Sequence, residues 1–382
     1  MINIKRKFRN YLIRELMKMM YIFKGIDNNK IVFKSFDNQF SDNPKAICEK
    51  LHELQPNLKF EWIFTDPDKV SDDVPNYIVK IKEGTFRKLY ELATSKVWVD
   101  NCTKVASTWK SKKQFYIQTW HGDKAFKKIG NDAGKLPYDF EKAPVFDLAI
   151  AGSEYGEKKY RNAFLYKGKI INIGTPRNDI LVNKNVQKIK EIKDKLNIAE
   201  NKKIFLYAPT FRDNNKEKTQ KLNGFDIEYA LNVLEKKFNC EWVCLLRTHH
   251  LVQNGFEINK AERIIDLSSY DDMADLLVIA DCMVTDYSSC AGDFALTKNL
   301  LILYHEDIEE YQKNSRSFYF DINTSPYYIA HSMNEFESIV IKSTKESIIE
   351  NCNEILDFYK STETGNSSEI IADIILEEIN EK

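Results

Sequence analysis

Short apolar runs alternate with amphipathic stretches along almost the whole chain, and this alternation limits the possible folds more than any other feature. IVFKSF (31–36), FEWIF (60–64), KVWVD (96–100), FYIQTW (115–120), DLAIAG (147–152) and IINIG (170–174) read as strands. Helical periodicity fills much of the space between them, at 42–54, 84–95 and 153–163. A second series follows: IFLYAP (204–209), WVCLLR (242–247), RIIDL (263–267), CMVTD (282–286) and LLILY (300–304), with helices at 225–238, 271–280 and 289–297. The tail from 333 to 380 reads as helices. Such alternation predicts parallel sheets with helices on both faces.

A chain of 382 residues exceeds what one core usually fills. The stretch 183–203 is rich in Lys, Asn and Glu and poor in large apolar groups, so the domain boundary is expected there. The expected layout is an arm at 1–25, a first doubly wound domain at 26–185, a second at 200–360 and a C-terminal helix at 361–382. Two doubly wound domains leave a cleft, and ligands of such sheets bind beyond the carboxyl ends of the strands.

Composition excludes several classes. Hydrophobic residues make up 43% and charged residues 30%, a globular profile. The net charge of −1 means that any anion site is local. The seven cysteines form no CxxC pair and no zinc-like spacing, which fits reduced thiols in a cytosol. No apolar stretch is long enough to span a bilayer, and no signal peptide is evident. Residues 2–24 carry Phe8, Leu12, Leu16, Met19, Met20 and Phe23 at helical spacing beside Lys5, Arg6, Lys7, Arg9, Arg14 and Lys18. A basic amphipathic helix of this kind suits an anionic membrane surface, and it equally suits a helix packed on the first domain with a solvated basic face. Beyond this arm no basic aromatic face is visible, so no nucleic-acid partner is expected.

Candidate chemistry clusters where predicted strands end. QTWHGDKAFKKIG (118–130) puts His121 and Gly122 at a strand exit, with Lys124, Lys127 and Lys128 nearby. An imidazole there can transfer protons near neutral pH or serve as a hydrogen-bonded turn residue. INIGTPRNDIL (171–181) places Arg177 on a turn, suited to a phosphate or to a surface ion pair with Asp179. LYAPTFRD (206–213) offers Thr210 and Arg212, and LLRTHH (245–250) offers Arg247, His249 and His250. VTDYSSCAGDFAL (284–296) reads as strand, hydroxyl pair and helix. Ser288 or Ser289 is expected to cap that helix, and its N-terminus can take a phosphate or be an ordinary cap. Asp293, one turn in, could accept a ribose hydroxyl or face solvent.

Together these segments resemble the CDP-glycerol:poly(glycerophosphate) glycerophosphotransferase family, the teichoic-acid primase and polymerase group. WHG with KKIG, GTPRNDIL, YAPTFRD, RTH, and TDYSS with a downstream DFA occur in the family order, and FYFD (318–321) and ETGNSS (363–368) look like its C-terminal pattern. The resemblance covers roughly residues 30–375. It implies a GT-B-like α/β architecture, two Rossmann-type doubly wound domains facing a central cleft. It implies transfer of glycerol phosphate from CDP-glycerol to a teichoic-acid or capsular, lipid-linked acceptor, releasing CMP, at the inner face of the cell membrane. By position, Trp120, His121, Gly122, Asp123 and Lys124 match the donor-contacting loop. Arg177, Thr210, Phe211, Arg247, Thr248, His249, Ser288, Ser289 and Asp293 match other donor positions, and His121 and His249 match the two functionally important histidines.

The chain departs from the pattern at WHGDKAFKK, where Asp123 replaces a hydroxyl residue, and at His250, which stands where a proline is usual. These changes leave CDP-ribitol open as donor. A nucleotide-sugar glycosyltransferase of the same architecture is the alternative enzyme, and a non-catalytic membrane partner is the alternative outside catalysis. A magnesium ion bridging the diphosphate is chemically compatible, but no acidic cluster marks a dedicated metal site.

Overall fold

The computed structural model describes residues 2–36, 38–102, 104, 107–134, 145–210, 224–248, 263–306 and 317–381. The chain forms two compact units. The first comprises 1–123, 130–179 and 362–382, and the second 124–129 and 180–361.

The first unit is built on seven parallel strands: β1 (Asp27–Lys34), β2 (Lys59–Phe64), β3 (Ile78–Lys82), β4 (Ser95–Asp100), β5 (Phe115–Gln118), β6 (Leu148–Ala151) and β7 (Lys169–Asn172). Their order is β3-β2-β1-β4-β5-β6-β7. The central strands are buried on both faces, with Ile31, Val32 and Phe33 beside Val97, Trp98 and Val99, which is why they read as unbroken apolar runs. The helices are α1 (Ile2–Lys24), α2 (Asp42–Leu54), α3 (Phe86–Thr94) and α4 (Glu154–Ala163). Strand β3 escaped the sequence reading because it is an edge strand with exposed lysines, and only Ile78 and Ile81 face inward.

Helix α1 has two apolar faces. Met17 and Met20 are buried, the amide of Trp109 donates to Met17 Sδ at 3.4 Å, and the Tyr21 and Trp109 rings lie 5.3 Å apart. Phe8, Tyr11, Leu12, Met19, Ile22 and Phe23 point outward, with Phe23 81% exposed. The structure therefore separates Met20 from the outward set and adds Tyr11 and Ile22 to it.

The second unit holds six parallel strands: β8 (Lys203–Ala208), β9 (Trp242–Leu246), β10 (Ile264–Asp266), β11 (Cys282–Thr285), β12 (Leu300–Tyr304) and β13 (Tyr328–Ala330), ordered β10-β9-β8-β11-β12-β13. The three-residue β13 is too short to have been read from pattern. The helices from the unit boundary onward are α5 (Asp179–Asn183), α6 (Val186–Lys195), α7 (Ile227–Phe238), α8 (Met273–Ile279), α9 (Cys290–Phe294), α10 (Met333–Lys342) and α11 (Lys345–Tyr359). The helix expected at 289–297 is the five-residue α9 followed by a single tight turn, Ala295–Thr297. Phe205, Tyr207, Leu231, Leu234, Val284 and Phe336 lie in the core.

The last helix, α12 (Ser367–Asn380), returns to the first unit. Ile371, Ala372, Ile375 and Ile379 bury one stripe in the core that α2 and the strands share. Its N-terminus is capped from a distance. The Ser367 and Ser368 amides and the Ser368 hydroxyl donate to the Asp179 carboxylate at 3.0, 2.7 and 2.6 Å. An anion at a helix N-terminus contributes on the order of 1 kcal/mol. Asp179 is thus a cap; the ion-pair partner of Arg177 lies elsewhere.

Candidate active site

In both sheets the strand order reverses once, between β1 and β4 and between β8 and β11. A doubly wound sheet opens a crevice at such a switch point, beyond the carboxyl ends of its strands. Among the described candidates, Thr210 follows β8, Ser288 and Ser289 follow β11, and His121 binds Asn101, which follows β4.

In the first unit the chain leaves β5 through Thr119 and Trp120 to His121. Trp120 has φ +51°, and the Asn43 side-chain amide donates to its carbonyl at 3.0 Å. The Trp120 ring stacks on the His121 ring at 4.2 Å, and the Phe36 ring lies 5.0 Å from it in a T-shaped arrangement. His121 Nδ1 lies 2.8 Å from the carbonyl of Asn101, the residue that follows β4. A carbonyl only accepts, so Nδ1 carries the proton and Nε2 is the basic nitrogen. Burial holds the imidazole pKa below its ordinary value; the Asn101 carbonyl and Asp42 push it up, and Arg177 and Lys159 push it down. A lowered pKa keeps the ring neutral near pH 7, the form a general base needs.

Arg177, after β7, donates to Asp42 Oδ1 and to the His121 carbonyl, both at 2.9 Å, and its own amide donates to Asn43 Oδ1 at 3.0 Å. Its turn is fixed by Glu363 of the ETGNSS segment, which accepts from the Thr175 amide, the Thr175 hydroxyl and the Asn178 side chain, each at 2.8 Å. Gly122 and Asp123 turn inward. Lys159 donates to both of their carbonyls. The Asp123 carboxylate accepts from the Gly152 amide at 3.0 Å and the Ser153 hydroxyl at 2.5 Å, and Asp123 is 1% exposed. A Cβ at Gly156 would fall 1.8 Å from Asp123 Oδ1, so the first turn of α4 needs glycine there. The carboxylate at this position has a structural task, tying the His121 loop to β6 and α4.

In the second unit the amide of Thr210, just beyond β8, donates to Asp286 Oδ1 at 2.9 Å, and the Tyr287 amide donates to the same oxygen at 2.6 Å. One buried carboxylate thereby joins both exits at the β8/β11 switch point. The expected capping is corrected here. Ser289 makes no side-chain cap bond to α9, and the Ser288 hydroxyl accepts only a long 3.5 Å contact from the Cys290 amide and a thiol contact at 3.0 Å. Arg247 donates to the carbonyls of Leu267 and Tyr270, and burial draws its pKa down while Asp272 pulls it up. A guanidinium remains charged under such pressure. The Thr248 hydroxyl lies 2.8 Å from Ser268 Oγ. Lys124 and Asp293 are both buried, and they pair with each other at 3.3 Å. A Cβ on Gly292 would sit 2.7 Å from Lys124 Cβ, so the pair requires glycine in α9. Phe211, Arg212, His249 and His250 lie outside the described residues. Among the described residues, no group of three or more His, Cys, Asp or Glu is placed to hold a metal.

Sequence reasoning missed Asp42, Asn43, Asn101, Lys159 and Asp286. Their roles depend on which strands are neighbours, and that order is not local information.

The sequence matches the family model for CDP-Glycerol:Poly(glycerophosphate) glycerophosphotransferase over residues 16–377. The chain belongs to this family. Its members are glycerophosphotransferases, enzymes of the transferase class. A teichoic acid poly(glycerol phosphate) polymerase of Staphylococcus epidermidis is 30% identical over 99% of this chain and 55% of its own length. A teichoic acid glycerol-phosphate transferase of Staphylococcus aureus is 32% identical over 97% of this chain and 99% of its own length. The chain thus spans about half of the one relative and nearly all of the other. A structure of the wall teichoic acid polymerase TagF, a variant soaked with CDPG, is similar with a TM-score of 0.83 at 28% identity, covering 99% of this chain and 98% of that one. The expected α/β, GT-B-like fold class is borne out by this similarity.

Proposed function

We propose that the chain transfers glycerol phosphate from CDP-glycerol to a hydroxyl at the end of a lipid-linked teichoic-acid or capsular glycerophosphate acceptor, releasing CMP. The acceptor oxygen forms a bond to the phosphorus that bears the glycerol, and the bond from that phosphorus to the CMP oxygen breaks. The hydroxyl proton passes to His121 Nε2. Positioning and fixed electrostatics carry most of a phosphoryl transfer, and a general base adds about 10²–10⁴-fold. The observation that supports this assignment most is the hydrogen bond from His121 Nδ1 to the Asn101 carbonyl, which leaves Nε2 as the basic nitrogen. In the second unit Arg247 supplies positive charge, and the hydroxyls of Ser288 and Ser289, which no strong cap bond ties down, are suited to a diphosphate. His249 is assigned to the leaving group on the family resemblance, and Thr210 and Thr248 to the nucleotide end.

The reading extends to location. Helix α1 carries outward Phe8, Leu12, Met19, Ile22 and Phe23 beside Lys5, Lys7, Arg9, Arg14 and Lys18. Each basic residue near an anionic surface contributes roughly 1 kcal/mol, and the apolar side chains insert below the headgroups. No described helix is long and apolar enough to cross a membrane. We place the enzyme on the inner face of the cell membrane, held by α1. Removing residues 1–24 should release it from anionic vesicles in a sedimentation assay, and retention would locate the contact elsewhere.

The test of the reaction is a panel of CDP-glycerol, CDP-ribitol, UDP-sugars and GDP-sugars with a lipid-linked acceptor. CMP released from CDP-glycerol supports the proposal. CMP from CDP-ribitol alone would replace the donor, and UDP or GDP release would replace the reaction.

A further inference from the structure

Backbone strain marks a second functional position in the first unit. Eight described non-glycine residues have positive φ: Asp42, Trp120, Leu165, Lys184, Asn197, Asn239, Lys298 and Lys360. Six of these follow the end of a helix or helical turn, where a left-handed residue is the usual way to stop. The two exceptions are Trp120, in the loop after β5, and Asp42, the first residue of α2. Asp42 has φ +65° and is 7% exposed. A non-glycine residue in this region costs on the order of 1 kcal/mol and persists where its surroundings over-determine it.

What surrounds Asp42 is the support of His121. Its Oδ1 accepts from Arg177 at 2.9 Å and its Oδ2 from the Asn101 side-chain amide at 2.9 Å. Those two partners are the residues that grip His121, Arg177 through the histidine carbonyl at 2.9 Å and Asn101 through ring Nδ1 at 2.8 Å. The next residue, Asn43, binds the Trp120 carbonyl at 3.0 Å and the Arg177 amide at 3.0 Å. A single carboxylate therefore ties together the clamp on the backbone of His121 and the clamp on its ring.

We infer that Asp42 is a positioning residue for His121, acting through Arg177 and Asn101 to fix the ring and its tautomer. The inference rests on the role proposed for His121. The alternative is a carboxylate that only balances Arg177 and helps α2 to start. The two differ in what the imidazole experiences. The charged groups facing His121 are Asp42 from α2, Arg177 from the turn after β7 and Lys159 from α4, and Asp42 is the one that favours the protonated ring.

The test is Asp42→Asn, which keeps the shape and tolerates a left-handed backbone while removing the charge. Asp42→Gly, whose backbone suits φ +65° without strain, removes the same charge should the first variant fold poorly. The titration of His121 is followed by NMR, with its signal assigned by loss in His121→Gln. Loss of the carboxylate lowers the midpoint relative to the parent chain. In turnover, kcat falls roughly tenfold, the acid limb of the kcat profile moves to lower pH, and KM for CDP-glycerol stays within twofold. An unchanged midpoint together with an unchanged kcat in a folded variant would overturn the inference. The titration needs no turnover. Should the parent chain release no CMP from CDP-glycerol, the proposed reaction fails while the link between Asp42 and His121 is still decided.

Discussion

At the β1/β4 switch point His121 is gripped at its ring, its carbonyl and the carbonyl before it, by Asn101, Arg177 and Asn43. At the β8/β11 switch point Asp286 pins the backbone of both exits, while the Ser288 and Ser289 hydroxyls are left without strong cap bonds. One exit fixes a side chain; the other fixes a backbone and leaves side chains to adapt. The contrast is between a preorganised imidazole in the first unit and, in the second, hydroxyls that keep rotational freedom. Preorganised groups cost no reorganisation during the reaction, whereas adaptable hydroxyls contribute mainly to binding.

Breaking the fixed side should cost most. Arg177→Ala removes the bridge between Asp42 and the His121 carbonyl, and kcat should fall on the order of 10²-fold with donor affinity nearly intact. Arg177→Lys should restore little, because one ammonium cannot reproduce the geometry of the fork. Equal damage to donor affinity and to kcat would show that Arg177 holds ligand rather than His121. Breaking the adaptable side should cost less and cost it elsewhere. The double variant Ser288→Ala/Ser289→Ala should weaken CDP-glycerol binding about tenfold by calorimetry, as two hydroxyl contacts of roughly 0.5–1.5 kcal/mol each imply. Unchanged affinity would mean that these hydroxyls do not meet the donor.

The smallest expected effect lies away from both exits and concerns stability alone. Burial, with Glu91 close by, pushes the Glu61 carboxyl up to about 7, against the pull of Lys30 and Arg87. In the unfolded chain this carboxyl titrates near 4.5. Between those values the folded protein keeps a proton that the unfolded chain has released, so stability falls as pH rises through the window. Glu61→Gln should therefore raise the melting temperature by a few degrees at pH 8, on the order of 1 kcal/mol, and leave it unchanged near pH 4. A parallel shift at both pH values would remove Glu61 from the titration.

Local pattern carried much of the architecture. The buried central strands read as apolar runs because both faces are covered, and the hydroxyl pair after β11 could be found from the local sequence alone. Two classes of feature stayed hidden. Edge strands such as β3 and β13 have too few inward residues to show a period. Residues that work through a neighbour, Asp42 and Asn101 above all, acquire their meaning only when β1 and β4 lie side by side. The same limit hides the partners of charged residues: the Asp123 carboxylate accepts from Gly152 and Ser153, and Lys124 pairs with Asp293, contacts between segments that are distant in sequence. A charge in a motif gives its chemistry without saying which way it faces.

The account depends most on His121 as the base, and His121→Ala examines it directly. CDP-glycerol affinity by calorimetry and CMP release in the presence of acceptor are measured on the same preparation. The account predicts donor affinity within about twofold of the parent chain and a loss of turnover of roughly 10²–10⁴-fold. Near-normal CMP release from this variant would contradict it.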